Sequence, residues 1–249
     1  MYIKKDTGRV FVCTDLHGNI HTLHKMLNDV AFDVTTDLLI CCGDLIDRGP
    51  ASRETLEHFI YDETGAYISI RGNHDQFLID TLNKDDPSGN WVYFNGGQWI
   101  LNEEEWKVKD LAIDAKARLP FYLTLDFMGT RYGFVHAEVP SEFTSWEQFT
   151  KTVDQETTEV YSRMGMWNRE IIRGEPAPVL PDVTYVFHGH TVLDRPTIVG
   201  NRVYLDTGFV FKRLLTLIEI TPTGALKANF RDKYAPRILT KGDVFVIAE

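Results

Sequence analysis

Five short apolar runs in this chain each break off into a polar cluster that carries aspartate, histidine or asparagine, and that recurrence limits both the fold and the chemistry. Residues 10–13 lead into Thr14-Asp15-Leu16-His17-Gly18-Asn19, and residues 38–42 into Gly43-Asp44-Leu45-Ile46-Asp47-Arg48-Gly49. Residues 67–70 lead into Arg71-Gly72-Asn73-His74-Asp75, while His136 follows 132–135 and His190 follows 184–187. Apolar runs of this length bounded by turn residues read as buried strands. One polar cluster after a strand is ordinarily a turn, but five bearing metal-type ligands ask for a common cause.

The spacing between the runs sets the fold class. Ile20, Leu23, Leu27 and Val30 recur at helical spacing after the first run, and residues 50–61 read as a second helix after the second. A strand, helix, strand, helix, strand opening favours a mostly parallel region with helices on its faces. Later strands, including 203–205 and 214–220, follow in quicker succession. An α/β architecture accommodates both halves: a layered α/β/β/α sandwich of two mixed sheets flanked by helices. Residues 85–120 and 145–172 are expected to be largely helical, and the prolines at 176, 178 and 181 mark a loop. At 249 residues the chain is expected to form a single domain spanning 1–249.

The formal net charge of −10 disfavours a general nucleic-acid or anionic-membrane binder, since such proteins neutralise phosphates with an excess of lysine and arginine. No apolar stretch is long enough to span a bilayer. Cys13, Cys41 and Cys42 lie in or beside apolar runs, two of them adjacent, so they read as small core residues and a cytoplasmic setting is expected.

Each polar cluster suits a particular task. A strand pointing into a loop presents Asp15 and His17 together at its C-terminal end, where α/β sheets bind ligands, and carboxylate plus imidazole suits a divalent transition metal. In the second cluster one carboxylate can bridge two metals and another can orient a histidine, while Arg48 offers a phosphate oxygen its forked guanidinium. Asn73 offers a neutral carbonyl oxygen to a metal, and His74 stays free to transfer a proton. His21, His24 and His58 sit on the expected helices and read as surface or packing residues.

The ordered set resembles the calcineurin-like metallophosphoesterases and, within them, the phosphoprotein phosphatases, whose pattern is Gly-Asp-x-His-Gly, Gly-Asp-x-x-Asp-Arg-Gly and Gly-Asn-His-Glu. Trp167-Asn168-Arg169-Glu170, Gly189-His190-Thr191 and Asp206-Thr207-Gly208 extend the likeness toward the bacteriophage lambda-type serine/threonine phosphatases, over roughly residues 10–220. Residues 221–249 lie outside it, with a further strand expected at 244–248. Two positions depart from the pattern: Thr14 stands for a glycine and Asp75 for the glutamate.

The resemblance implies two divalent ions, manganese by the family's habit, with one held by Asp15, His17 and Asp44 and the other by Asp44, Asn73, His136 and His190. It implies a metal-bridging water attacking phosphorus in line, His74 protonating the leaving alkoxide with Asp47 holding its ring, and Arg48, Arg71 and Arg169 clamping the phosphate. His188 and His190 would face the same side of a strand, and only His190 aligns with Gly-His-Thr. The expected substrates are phosphorylated proteins or peptides, with small phosphate esters in addition. The alternatives are a symmetrical diadenosine tetraphosphate hydrolase, which shares such a core, and a non-catalytic scaffold.

Overall fold

The strands expected within residues 10–220 form in the computed structural model, which describes residues 1–83 and 89–232. The first half runs β1 (Tyr2–Lys5), β2 (Val10–Cys13), α1 (Ile20–Asp29), β3 (Leu38–Cys41), α2 (Ser52–Ile60), β4 (Tyr67–Ser69), α3 (Asn73–Asp80), α4 (Gly89–Phe94) and α5 (Glu105–Arg118), with a 3-10 turn at Gly97–Asn102. The second half runs β5 (Tyr122–Phe127), β6 (Thr130–Val135), α6 (Trp146–Gln155), α7 (Val160–Trp167), β7 (Tyr185–His188), β8 (Thr197–Val199), β9 (Arg202–Tyr204), β10 (Leu214–Ile220) and β11 (Leu226–Asp232).

These strands make two mixed sheets, ordered β11-β10-β2-β3-β4 and β1-β5-β6-β7-β9-β8. In the first, β2, β3 and β4 are parallel and β10 is antiparallel to β2. In the second, β6, β7 and β9 are parallel, while β5 is antiparallel to β6.

Strand alternation builds the layers. Along β2 and β3, Val10, Val12, Leu38 and Ile40 pack against Leu123, Leu125, Phe134, Phe187 and Val203 of the other sheet. Phe11, Cys13, Leu39 and Cys41 point the opposite way, onto Ile20, Leu23 and Leu27 of α1 and Leu56 and Phe59 of α2. Because both faces of β2 and β3 are buried, their sequences are unbroken apolar runs rather than alternating ones. Trp146 and Phe149 of α6 join Val135 and Val186 on the outer face of the second sheet, completing the α/β/β/α order.

Four strands lie outside the expected runs: β1, β5, β8 and β11. The helical expectation at 145–172 ends at Trp167, after which the chain turns without regular structure. Residues 221–232 are part of the fold, since β11 pairs with β10 at the sheet edge. The strand expected at 244–248 lies outside the described residues. The three cysteines are buried and free. Among the described residues no helix is long and apolar enough to cross a membrane.

Parallel strands bring their C-terminal ends to one edge. Asp15, Asp44 and Asn73 follow β2, β3 and β4, and His136 and His190 follow β6 and β7, so residues up to 175 positions apart meet at the common edge of the two facing sheets.

Candidate metal centre

The loops at this edge are bent hard. Asp15, Asp44, Asp47, Arg48 and His190 all have positive φ, at 49°, 55°, 78°, 66° and 65°. Non-glycine residues are uncommon in this region, and clusters of such strain mark functional sites. Two glycines allow the close approach: a Cβ on Gly72 would lie 2.3 Å from the Asp44 amide nitrogen, and one on Gly189 would lie 2.1 Å from an Asp15 carboxylate oxygen.

Two groupings of ligand atoms result, His17 with Asp44 and His74, and Asp44 with His136 and His190, each gathered within 4.8 Å and all buried. Asp44 belongs to both. Its Oδ2 lies 3.7 Å from His17 Nε2 and its Oδ1 lies 3.4 Å from His136 Nε2. Asn73 joins the second grouping through its Oδ1, 3.1 Å from His136 Nε2. Asp15 lines the same cavity, where its carboxylate accepts the His190 amide at 3.0 Å and the Thr14 hydroxyl.

Backbone carbonyls set the tautomers of the histidines. His17 Nδ1 donates to Ile46 O at 2.8 Å, His136 Nδ1 to Cys42 O at 2.6 Å, and His190 Nε2 to Trp167 O at 3.2 Å. Each ring thereby leaves its other nitrogen to the cavity, the arrangement usual for metal-binding imidazoles. His188, two residues before His190, is placed elsewhere: it bonds Val135 O at 3.1 Å and stacks on Tyr204 with ring centroids 4.8 Å apart.

The electrostatics suit a cation. Burial pushes the Asp15 carboxyl well up, with Asp206 adding to it, and burial together with the charge of Asp44 brings Asp206 to about 6. Burial lowers His17 to about 3 and His190 to about 2, keeping both neutral. Burial also opposes charge on His136, but the Asp44 carboxylate outweighs it and lifts the imidazole to about 10, while His136 and His74 hold Asp44 well below the usual range. Among the described residues no lysine or arginine makes a close ion pair with Asp15, Asp44 or Asp206, although Arg48 stands near enough to favour the Asp206 anion. Three buried carboxylates among imidazoles fit divalent ions, which would take over the compensation that a proton on His136 otherwise supplies. Mixed oxygen and nitrogen donors leave the choice of ion open.

Asp47, 0 % exposed, is held from three sides. Trp91 Nε1 donates to Oδ2 at 2.6 Å, Trp99 Nε1 to Oδ1 at 2.8 Å, and the same Oδ2 receives His74 Nδ1 at 2.6 Å. The His74 ring is therefore fixed with Nε2 directed away from Asp47, and His74 lines the cavity beside Asp44 and Asn73. Asp75, the departure from the glutamate pattern, supports the Asp44 loop: its carboxylate accepts the amides of Asp44 at 2.9 Å, Leu45 at 3.0 Å and Gly72 at 2.9 Å.

The arginines divide. Arg48 and Arg169 line the cavity of about 490 Å³ above the centre, together with Arg173, Asn95, Trp167 and Phe211. Arg48 Nη1 lies 2.8 Å from His17 Nε2, so a cationic group already stands at a metal-facing lone pair. Arg71 is placed apart from them. Its guanidinium bonds Gln76 Oε1 at 3.0 Å and Lys116 O at 2.9 Å and lies over Phe121, lining a different cavity. The backbone at Arg71 turns into Gly72 beside Asp44, and the side chain leaves on the opposite side, packing β4 against α5 instead of joining Arg48 and Arg169.

Some supports gave little sign in the sequence. The Trp91 and Trp99 bonds to Asp47 span 44 and 52 residues, and Thr14, read as a departure, donates to Asp15. The glutamate pattern itself was the available signal for Asp75.

A two-sheet α/β sandwich with carboxylates and imidazoles converging at one strand edge, under an arginine-lined cavity, defines a metal-dependent phosphoesterase. The chain belongs to the calcineurin-like phosphoesterase family, whose model matches residues 8–194. It is 31% identical over 218 residues to serine/threonine-protein phosphatase 2 of Salmonella typhimurium, covering 85% of this chain and 92% of that one. A symmetrical bis(5'-nucleosyl)-tetraphosphatase of Ectopseudomonas mendocina is 43% identical, but over 70 residues, or 28% of this chain and 25% of its own. A solved protein serine/threonine phosphatase from Saccharomyces cerevisiae shares the fold with a TM-score of 0.65 at 14% identity, covering 94% of this chain and 84% of that one.

Proposed function

We propose that the protein is a dinuclear, manganese-using phosphoprotein phosphatase that hydrolyses phosphoserine and phosphothreonine, with small phosphate monoesters as further substrates. The sharing of Asp44 by two ligand groupings carries the dinuclear reading, with Asp15 taking the place in the first that His74, held by Asp47, leaves for proton transfer. Asp15, His17 and Asp44 would hold one ion, and Asp44, Asn73, His136 and His190 the other. Two such ions would supply Lewis acidity and make a bound water acidic enough to serve as nucleophile at neutral pH.

The remaining steps fall to the chain's own groups. Arg48 and Arg169 enter the cavity from separate loops and would hold the phosphoryl oxygens as charge builds on them. Asp47, locked by Trp91 and Trp99, sets the His74 ring so that a proton on Nε2 can pass to the leaving alkoxide. Likeness to a protein phosphatase across most of both chains supports the protein substrate; likeness to the dinucleoside tetraphosphatase covers about a quarter of each.

Rates on a phosphopeptide and on diadenosine tetraphosphate, compared at equal manganese, test the substrate. A higher kcat/KM on the phosphopeptide is expected, and a strong preference for the dinucleotide would reverse the reading. Loss of aryl phosphate hydrolysis on chelation and its return with manganese are expected. Absence of any metal-dependent turnover would favour the scaffold.

A further inference from the structure

Glu138 stands two residues beyond His136, is 1 % exposed, and meets the segment after α7 with its carboxylate. The amide of Ile171 donates to its Oε2 at 3.1 Å and that of Ile172 to its Oε1 at 2.9 Å. The Tyr204 hydroxyl adds a third bond to Oε1 at 3.2 Å. The two amides lie two and three residues past Arg169, in a stretch with no helix or strand between Trp167 and Tyr185. The segment has no ladder; its own backbone bonds are turn bonds, Arg173 N to Glu170 O at 3.1 Å and Gly174 N to Ile171 O at 3.0 Å, which leave the Ile171 and Ile172 amides to be met by Glu138.

A carboxylate is the group suited to this position. It presents two oxygens to two successive amides, and charge-assisted bonds of this sort are strong in a buried setting. A glutamine would offer one oxygen and turn its amino group toward the other donor. Arg202, itself 1 % exposed, is the buried cation that interacts with Glu138, and its Nη1 bonds Pro178 O at 2.7 Å further along the same segment. The loop of Glu138 meets this region a second time, where the Ala137 amide donates to Gly165 O in α7 at 2.6 Å.

We infer that Glu138 is the positioning residue for Arg169: by holding the Ile171 and Ile172 amides it aims the guanidinium into the cavity and ties the arginine's distance from the centre to the His136 loop. This rests on the reading of Arg169 as a phosphate-holding residue. Placement errors near 1 Å can cost about 100-fold in rate, so the tie matters for turnover as well as for order.

The test is a double-mutant cycle of Glu138→Gln with Arg169→Ala in the full-length protein, using an aryl phosphate as substrate and inorganic phosphate as inhibitor. Glu138→Gln is expected to lower kcat/KM about tenfold and weaken phosphate inhibition by a similar factor. Manganese stoichiometry should stay as in wild type, amide exchange at Ile171 and Ile172 should speed up, and the double variant should be no worse than Arg169→Ala. Glu138→Asp keeps the charge but withdraws it by one methylene, and is expected to move the phosphate inhibition constant the same way by a smaller factor. Additive losses, unchanged amide exchange, or a lower Tm with unchanged phosphate inhibition would each overturn the assignment. Wild-type phosphate inhibition in Arg169→Ala would instead overturn the clamp on which it rests.

Discussion

The two edges of the sheet built on β2 and β3 treat buried carboxylates in opposite ways. At the N-terminal edge, Asp37 stands just before β3 and is 5 % exposed, and Arg9 stands just before β2. Arg9 Nη2 meets Asp37 at 2.6 Å, and the amides of Arg9 and Asp33 each add a bond at 3.0 Å. Burial works against the Asp37 anion, but these bonds prevail and hold its pKa below the ordinary range. At the C-terminal edge, burial drives Asp15 and Asp206 up, and Asp44, against its burial, is held down by the imidazoles of His136 and His74 rather than by an arginine or lysine. One edge carries its own cation; the other gathers carboxylates around a space. Buried carboxylates without a fixed ion-pair partner are costly, and the cost is intelligible where a metal ion is to be received.

The contrast breaks most visibly at Asp44. Asp44→Asn removes half of the shared carboxylate, and hydrolysis of an aryl phosphate is expected to fall about a thousandfold. Manganese should raise the wild-type Tm, since ligand at 100 times its Kd adds about 2.7 kcal/mol, and Asp44→Asn should lose most of that rise. A full Tm response in the variant would show that the C-terminal carboxylates are not there for metal.

Histidine substitutions sharpen the boundary of the metal edge. His190→Asn is expected to cost about 100-fold in activity or metal affinity, whereas His188→Asn should leave kcat within about threefold of wild type, because His188 stacks on Tyr204 outside the groupings. Comparable losses in both would extend the centre to His188.

The smallest effect belongs to the self-compensated edge. Asp37→Asn should cost about 2 kcal/mol of stability at neutral pH, measured by urea unfolding, and leave kcat unchanged. Asp37 has a folded pKa below its unfolded value of about 3.9, so its contribution is present above that pH and lost as pH falls toward the folded pKa. The variant's Tm should therefore decline less steeply below about pH 4 than that of wild type. An identical acid slope would mean that Asp37 adds nothing to this edge.

Much of the first sheet was legible because its signals are contiguous. The runs at 10–13 and 214–220 coincide with β2 and β10, and Asp15, His17, Asp44 and Asn73 follow their strands within a few residues. β5 carried a readable alternation, with Leu123, Leu125 and Phe127 facing the core, but it follows directly on a helical stretch. β1 is half-exposed at a sheet edge and owes its form to parallel pairing with β5 more than a hundred residues away, so no local pattern marks it. Arg71 shows the limit at the site, since a cation next to a ligand motif suggests phosphate, yet its direction is set by Gln76, Phe121 and the end of α5.

By itself the sequence determined the strand ends and the donor types placed on them, because short apolar runs and the residues that stop them are local properties of the chain. Tertiary structure decided that Asp44 is shared, that His190 faces the cavity while His188 stacks behind it, that Arg48 and Arg169 converge without Arg71, and that Glu138 holds the segment after Arg169. Those outcomes depend on the pairing order of two sheets and on bonds between loops far apart in the chain, and a contact between distant segments exists only once both are folded against the same core.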